Sequence, residues 1–264
     1  MSKKIENFSN VSYLQSAIIQ REVINRLMQR LSLINFSPRS IIDIGSGIGL
    51  GTENLLKFYS KTKFYMLDNS FKSLKDSVIK QKKVFPICAN FTNIPFNDYS
   101  FDFVFSSSAL HWDLDIQMSF SEIYRILKPG GLFLFATYGP DTLIELRSAW
   151  SIVDKKKHVN DFYEMHDIGD LMLNLNFMDP VVDVEKIVVE YINVKQLQKD
   201  LKNIGSKVIH EEHHKNGLFG TKKMKDMYEE YEKFRRKNGT LPATYEVIYG
   251  SAWKKMDNIS EYIK

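Results

Sequence analysis

An α/β protein is expected from this sequence. It has seven strands in a mostly parallel sheet with helices on both faces, an N-terminal helix, and an inserted helical pair before the last strand. Three observations point there. Residues 41–51 read Ile-Ile-Asp-Ile-Gly-Ser-Gly-Ile-Gly-Leu-Gly, an apolar run that ends in glycines at spacing two (Gly45, Gly47, Gly49) and passes into a helical pattern. That is a buried strand, a tight turn and a helix start. Apolar runs then alternate with helical periodicity as far as residue 138, the pattern of right-handed crossovers between parallel strands. The 264 residues are 44% hydrophobic, enough for a substantial core.

Taken in order, Ile19, Val23, Ile24, Leu27 and Leu31 share one helical face within residues 13–31. Strands are expected near 40–45, 62–67, 83–88, 101–106 and 131–137, and helices near 49–58, 70–80 and 116–127. Lys128-Pro129-Gly130-Gly131 breaks the last of these helices and turns into the fifth strand. Beyond residue 138 the pattern predicts helices over 140–153 and 167–176 and a strand from Val181 to Tyr191. Helices at 194–204 and 221–237 then flank a polar loop, and Ala243 to Trp253 forms the final strand. One domain over 1–264 is expected, with a helical cap at about 8–35 and the helical insertion at about 194–240.

Composition excludes several classes. Cys88 is the only cysteine, so there is no disulfide framework and no thiolate metal cluster. No apolar run reaches the roughly 18 residues of a membrane span, and the N-terminal MSKKIENFSN lacks a secretory h-region. A cytoplasmic monomer is the expectation. His210-Glu211-Glu212-His213-His214 matches H-E-x-x-H but sits in the most polar stretch of the chain without an apolar helical stripe. It therefore reads as a solvated loop, with no metal expected. Net charge is +4, with 12 Lys/Arg and 7 Asp/Glu inside 194–237 against 24 and 25 elsewhere. Interleaved acids and the lack of a binding motif argue against nucleic acid; an acidic partner protein fits better.

The strand ends carry the chemistry, because ligands of open α/β sheets sit beyond the carboxyl ends of the strands. Glycine admits a ligand where a Cβ would collide, and a helix start offers free N–H groups. A dinucleotide fingerprint needs glycine at position 50, which is Leu. Asp43 followed by G-x-G-x-G instead resembles the S-adenosylmethionine turn of class I methyltransferases, with a Rossmann-like fold. Asp68, 19 residues after Gly49 at the end of the second strand, is placed to accept the ribose hydroxyls. Asn69 follows it. Asn90 and the Phe91 N–H suit an adenine edge. Ser106 closes the fourth strand, followed by His111 and Trp112, which suit a pocket wall.

Further runs narrow the resemblance. Gly139-Pro140-Asp141-Thr142-Leu143-Ile144-Glu145-Leu146-Arg147, Val159-Asn160-Asp161-Phe162 and Leu241-Pro242-Ala243-Thr244-Tyr245-Glu246-Val247-Ile248-Tyr249-Gly250, with Gln20-Arg21-Glu22-Val23, resemble the malonyl-[acyl-carrier protein] O-methyltransferases of biotin synthesis. The arginine-hydroxylating mitochondrial complex I assembly factors are similar in the same segments, including Leu110-His111-Trp112, and remain an alternative. The biotin-pathway resemblance implies S-adenosylmethionine as donor and a malonyl thioester on an acyl-carrier protein as acceptor. Its carboxylate is ionised at pH 7 and needs no general base, so His111 orients or packs. Arg147 would hold that carboxylate with its planar fork, and Tyr13 and Trp112 would close the pocket. Lys222, Lys223, Lys225, Arg235 and Arg236 would steer the carrier.

Overall fold

The computed structural model describes residues 10–77, 79, 81–113, 115–205 and 217–256. Seven strands run β1 (Ser40–Ile44), β2 (Lys63–Asp68), β3 (Val84–Cys88), β4 (Phe101–Ser107), β5 (Leu127–Tyr138), β6 (Phe177–Tyr191) and β7 (Leu241–Lys254). They form one sheet in the order β3-β2-β1-β4-β5-β7-β6. The β1–β2, β1–β4, β2–β3 and β4–β5 pairs are parallel, and β7 is antiparallel to β5. The chain reverses its direction of travel across the sheet between β1 and β4, so the ends of these two strands flank the switch point. All five parallel strands end on the same edge.

The apolar runs became the central strands because a parallel strand is covered on both faces. Ile41, Ile42, Phe103, Val104, Phe105, Phe133 and Phe135 have no measurable exposure. The helices are α1 (Asn10–Ser16), α2 (Ile18–Ser32), α3 (Leu50–Phe58), α4 (Phe71–Lys75), α5 (Ile116–Ile126), α6 (Ile144–Val153), α7 (Met165–Asn174), α8 (Val194–Asn203) and α9 (Gly217–Glu232). Their starts are chemically marked. Asp115 accepts from the Met118 N–H, Asn193 from Gln196, and Glu164 and Asp167 form a capping box on α7. The N-terminal apolar face is buried as its spacing predicts, with Ile19, Val23, Ile24, Leu27 and Leu31 in the core.

Several boundaries differ from the sequence expectation: α4 is shorter, β6 starts earlier, α9 lies about four residues earlier, and three others have a visible cause. The N-terminal helix is broken at Ala17, beside Ser16, whose hydroxyl donates to Asp200 at 2.7 Å. The Lys128–Gly131 run lies inside β5, not before it: Leu127 already pairs with Phe101, and a register shift between Phe101 and Phe103 absorbs the extra residues. Helix α6 starts at Ile144 because Asp141 and Thr142 are committed to β7.

Two compact units emerge. One comprises residues up to Ile19, 140–162 and 186–246; the other comprises 20–139, 163–185 and from 247 onward. The five parallel strands belong to the second.

Candidate active site

In the sheet-bearing unit the β1–α3 turn is strapped to the end of β2: the Gly45 and Ser46 N–H groups both donate to the Leu67 carbonyl, at 2.8 and 3.1 Å. Two glycines in it do different work. A Cβ on Gly45 (φ +71°) would lie 2.1 Å from the Ala109 Cβ, so this glycine lets the segment after β4 close over the turn. Gly47 (φ +53°) has nothing within 4 Å of where its Cβ would stand. Its N–H donates to Asp68 Oδ2 at 2.8 Å. The open space beside it is the cradle a bound nucleoside needs. Gly49 heads α3 without a side-chain cap; the Thr52 N–H in its first turn is held by Asp43, and the N–H groups before it face a ligand's side.

Two carboxylates face this turn. Asp43 is buried and accepts from the Thr52 hydroxyl at 2.7 Å. Burial pushes its pKa up to about 7 against the pull of that hydrogen bond. Asp68 is also raised by burial, partly offset by the N–H groups of Ser70 and Gly47. Such a pair gains from a cation, and a ligand carrying a sulfonium and an ammonium supplies two.

The remaining strand-end residues fall into distinct roles. Asn69 and Asn90 are exposed beyond β2 and β3. The Asn90 side chain accepts only a long 3.4 Å bond from the Thr92 N–H. Phe91 is buried, its ring 3.4 Å from the Gly45 Cβ position. Ser106 departs from its expected role: it is fully buried and its hydroxyl donates to the Ile44 carbonyl at 2.9 Å, so it ties β4 to β1 and is turned away from a ligand. Its neighbours differ. The Ser107 and Ser108 hydroxyls are buried with no hydrogen-bond partner among the described residues, at the mouth of the switch point. The sequence held no signal separating these three serines, since only strand register decides which one faces inward. Together the open cradle, the uncapped α3 start, the carboxylate pair and the two orphaned hydroxyls fit S-adenosylmethionine.

His111 and Trp112 lie in a short 3-10 turn, Leu110–Trp112. The imidazole packs against the Trp112 and Tyr138 rings, at 4.8 and 4.6 Å between centroids. Burial drives its pKa down to about 3, so the ring is neutral at physiological pH. Trp112 is 43% exposed, which leaves its face available as a wall.

Tyr13 and Arg147 belong to the other unit. Tyr13 is half-buried on α1. Arg147 donates from Nη2 to the Asn160 carbonyl at 3.2 Å, while its buried Nε has no partner among the described residues. It lines a cavity of about 210 Å³ with Trp150, Ser151 and the Asp154–Val159 turn. Trp150 stacks on His158 at 3.7 Å, and His158 Nε2 contacts Asp154 Oδ1 at 2.7 Å.

The two narrow sequence runs hold each other in this unit. Leu143 takes the left-handed conformation (φ +55°) and donates its N–H to Thr244 at 2.6 Å. The Thr142 hydroxyl donates to the Glu246 carbonyl, and the Asp141 N–H to the Glu246 carboxylate. Buried Glu145 accepts from the Thr244 N–H at 3.0 Å and from its hydroxyl. Most of both motifs is therefore a lock that aims α6, and with it Arg147.

His210–His214 lies outside the described residues. Among the described residues no group of three or more His, Cys, Asp or Glu side chains is placed to hold a metal.

Comparison with known proteins agrees with this geometry. The methyltransferase domain family (Methyltransf_11) matches residues 42–135. Malonyl-[acyl-carrier protein] O-methyltransferase 1 of Coxiella burnetii is 40% identical over 97% of this chain and 88% of its own length. The malonyl-[acyl-carrier protein] O-methyltransferase of Gallionella capsiferriformans is 39% identical over 94% and 88%. A crystal structure of a methyltransferase-like protein from Bacillus halodurans superposes with TM-score 0.63 at 17% identity, covering 89% of this chain and all of that one, which shows the shared fold.

Proposed function

The chain belongs to the malonyl-[acyl-carrier protein] O-methyltransferase family, and we propose on that premise that it transfers a methyl group from S-adenosylmethionine to the free carboxylate of a malonyl thioester on an acyl-carrier protein. The carrying observation is the near full-length identity to those relatives, joined to a glycine cradle beside two carboxylates.

When bound, the donor supplies an electrophilic methyl on a sulfonium. Ionised Asp43 favours its cationic amino-acid end. Asp68 keeps lone pairs for the ribose hydroxyls while the Gly47 N–H holds one of its oxygens in place. Asn90 and the Phe91 N–H suit the adenine edge. Ser107 and Ser108 offer hydroxyls near the sulfur end. The acceptor arrives as an anion, so the chain has no proton to remove, and a neutral His111 suits a packing role. Arg147 holds the malonyl carboxylate. Alignment at about 3–3.5 Å and exclusion of water supply the rate, worth several kcal/mol. The ester product is uncharged at that end. It can then enter apolar acyl-elongation pockets that reject a carboxylate, as the start of pimeloyl synthesis for biotin requires. A cytoplasmic location is part of the same proposal.

The test is transfer of labelled methyl from S-adenosylmethionine to malonyl-carrier protein. Arg147→Ala is expected to keep donor affinity within about threefold and lose at least about 100-fold in kcat/KM, the scale of one charge-assisted contact made to the reacting group. Transfer at the wild-type rate by Arg147→Ala overturns its assignment. Absence of transfer to any malonyl thioester by the wild-type protein overturns the function.

A further inference from the structure

Within the segment 194–237 where the sequence concentrates positive charge, most of the cations on α9 and the turn after it are already paired inside their own unit. On α9 and the turn after it, Lys223 pairs with Asp154 at 2.9 Å, Lys225 with Glu229 at 3.6 Å, Lys233 with Glu230, Arg235 with Glu232 at 2.6 Å, and Arg236 with Glu190 at 2.8 Å. Of the five cations expected to steer a partner, four already have a carboxylate.

A different place is left uncompensated. The turn after α6 reads Asp154-Lys155-Lys156-Lys157-His158. Asp154 is nearly buried and shared between His158 and Lys223. Burial works to raise its pKa, yet those two partners together hold it well below the usual carboxylate range. Lys157 is taken by Asp161. Lys155 and Lys156 are exposed, line the Arg147 cavity, and have no acidic partner among the described residues. Exposed Lys222 likewise has none, and its neighbour Lys223 ties α9 to the same turn. The pedestal is firm. Trp150 stacks on His158 with an interplanar angle of 8°, the Asp154 N–H donates to Trp150, and the Lys156 N–H donates to Asp154.

Resting on the proposed function, we infer that Lys155, Lys156 and Lys222 form the rim on which the acidic face of the acyl-carrier protein docks, so that its malonyl-bearing arm enters the cavity toward Arg147. A cationic rim around a cavity steers an acidic protein and leaves a small thioester almost unaffected, because the long-range field acts on the whole charge of the partner. Side chains already paired with neighbours add little to that field.

The test compares wild type with Lys155→Glu/Lys156→Glu and, separately, Lys222→Glu. Anisotropy of fluorescently labelled acyl-carrier protein reads binding directly, and methyl transfer is followed on malonyl-carrier protein and on a malonyl thioester of pantetheine. For the double variant the Kd and KM for carrier are expected to rise about tenfold at low salt, with the difference shrinking at 0.5 M salt as the Debye length falls to a few ångströms. The small thioester, which carries a single charge, is expected to lose much less than the carrier-bound substrate. Lys225→Glu, already paired on the wild-type surface, shifts carrier affinity much less. Unchanged carrier binding in the double variant, or an equal loss on both thioesters, overturns the docking site while the function stands. No methylation of either thioester by wild type defeats the function first, and the anisotropy then still decides whether the rim binds an acidic carrier.

Discussion

Gly45 and Gly47 sit two residues apart, both with positive φ, yet alanine at each should fail for a different reason. At Gly47 the new Cβ meets no protein atom within 4 Å, so the penalty is the left-handed backbone alone, about 1–2 kcal/mol. At Gly45 the same penalty is joined by a 2.1 Å approach to the Ala109 Cβ, which cannot rotate away. Opening that contact moves the segment that carries His111 and Trp112, an overpacking cost of about 1–3 kcal/mol more. For a chain of 264 residues, 1 kcal/mol corresponds to roughly 2 °C in Tm. Gly47→Ala should therefore lower Tm by about 2–4 °C and Gly45→Ala by about 4–10 °C. The binding assay should invert the order of surprise. Gly47→Ala, although the more stable variant, puts a methyl group into the cradle and is expected to weaken S-adenosylmethionine by at least tenfold in calorimetry. Gly45→Ala loses affinity only in proportion to its displaced loop. Wild-type donor affinity in Gly47→Ala would refute the placement of the ligand, and equal Tm values for the two variants would refute the packing argument.

Two further outcomes follow from the buried acids. With Asp43 titrating at about 7 in the free protein, donor affinity should fall up to tenfold per pH unit below that value. Its folded pKa exceeds the ordinary value, so stability is full at low pH and is lost as pH rises from about 4 to about 7, by at most roughly 4 kcal/mol. Asp43→Asn should accordingly be more stable than ligand-free wild type at pH 8 while binding the donor weakly and without a titration near 7; a variant Kd that still titrates near 7 would sink this. Glu145→Gln keeps one oxygen for Thr244 but turns an NH2 toward a donor, which should cost about 1–3 kcal/mol in denaturant unfolding. Donor affinity, set in the other unit, should stay at the wild-type value, and a large loss there would contradict the lock.

Much was legible in the chain because local chemistry decides it. The period of apolar residues places β1, β2, β4 and α3 within a residue or two. The glycine spacing fixes the turn, and an acid at each of two strand ends announces what the turn is for. The resemblance of Gly139–Arg147 and Leu241–Gly250 points to the family that the curated relatives show. Those signals depend on neighbours along the backbone, which a sequence displays directly. Pairings across distant segments do not. Which of three consecutive serines faces the switch point follows from the hydrogen bond of Ser106 to β1. That Gly45 serves packing while Gly47 borders open space follows from where Ala109 lies. That the motif acids Glu145 and Glu246 clamp a strand to a helix turn follows from contacts about a hundred residues apart. Charge shows the division most plainly: composition counts every lysine alike, whereas an ion pair cancels the field of one and leaves the next exposed, so only the folded arrangement distinguishes Lys223 from Lys155.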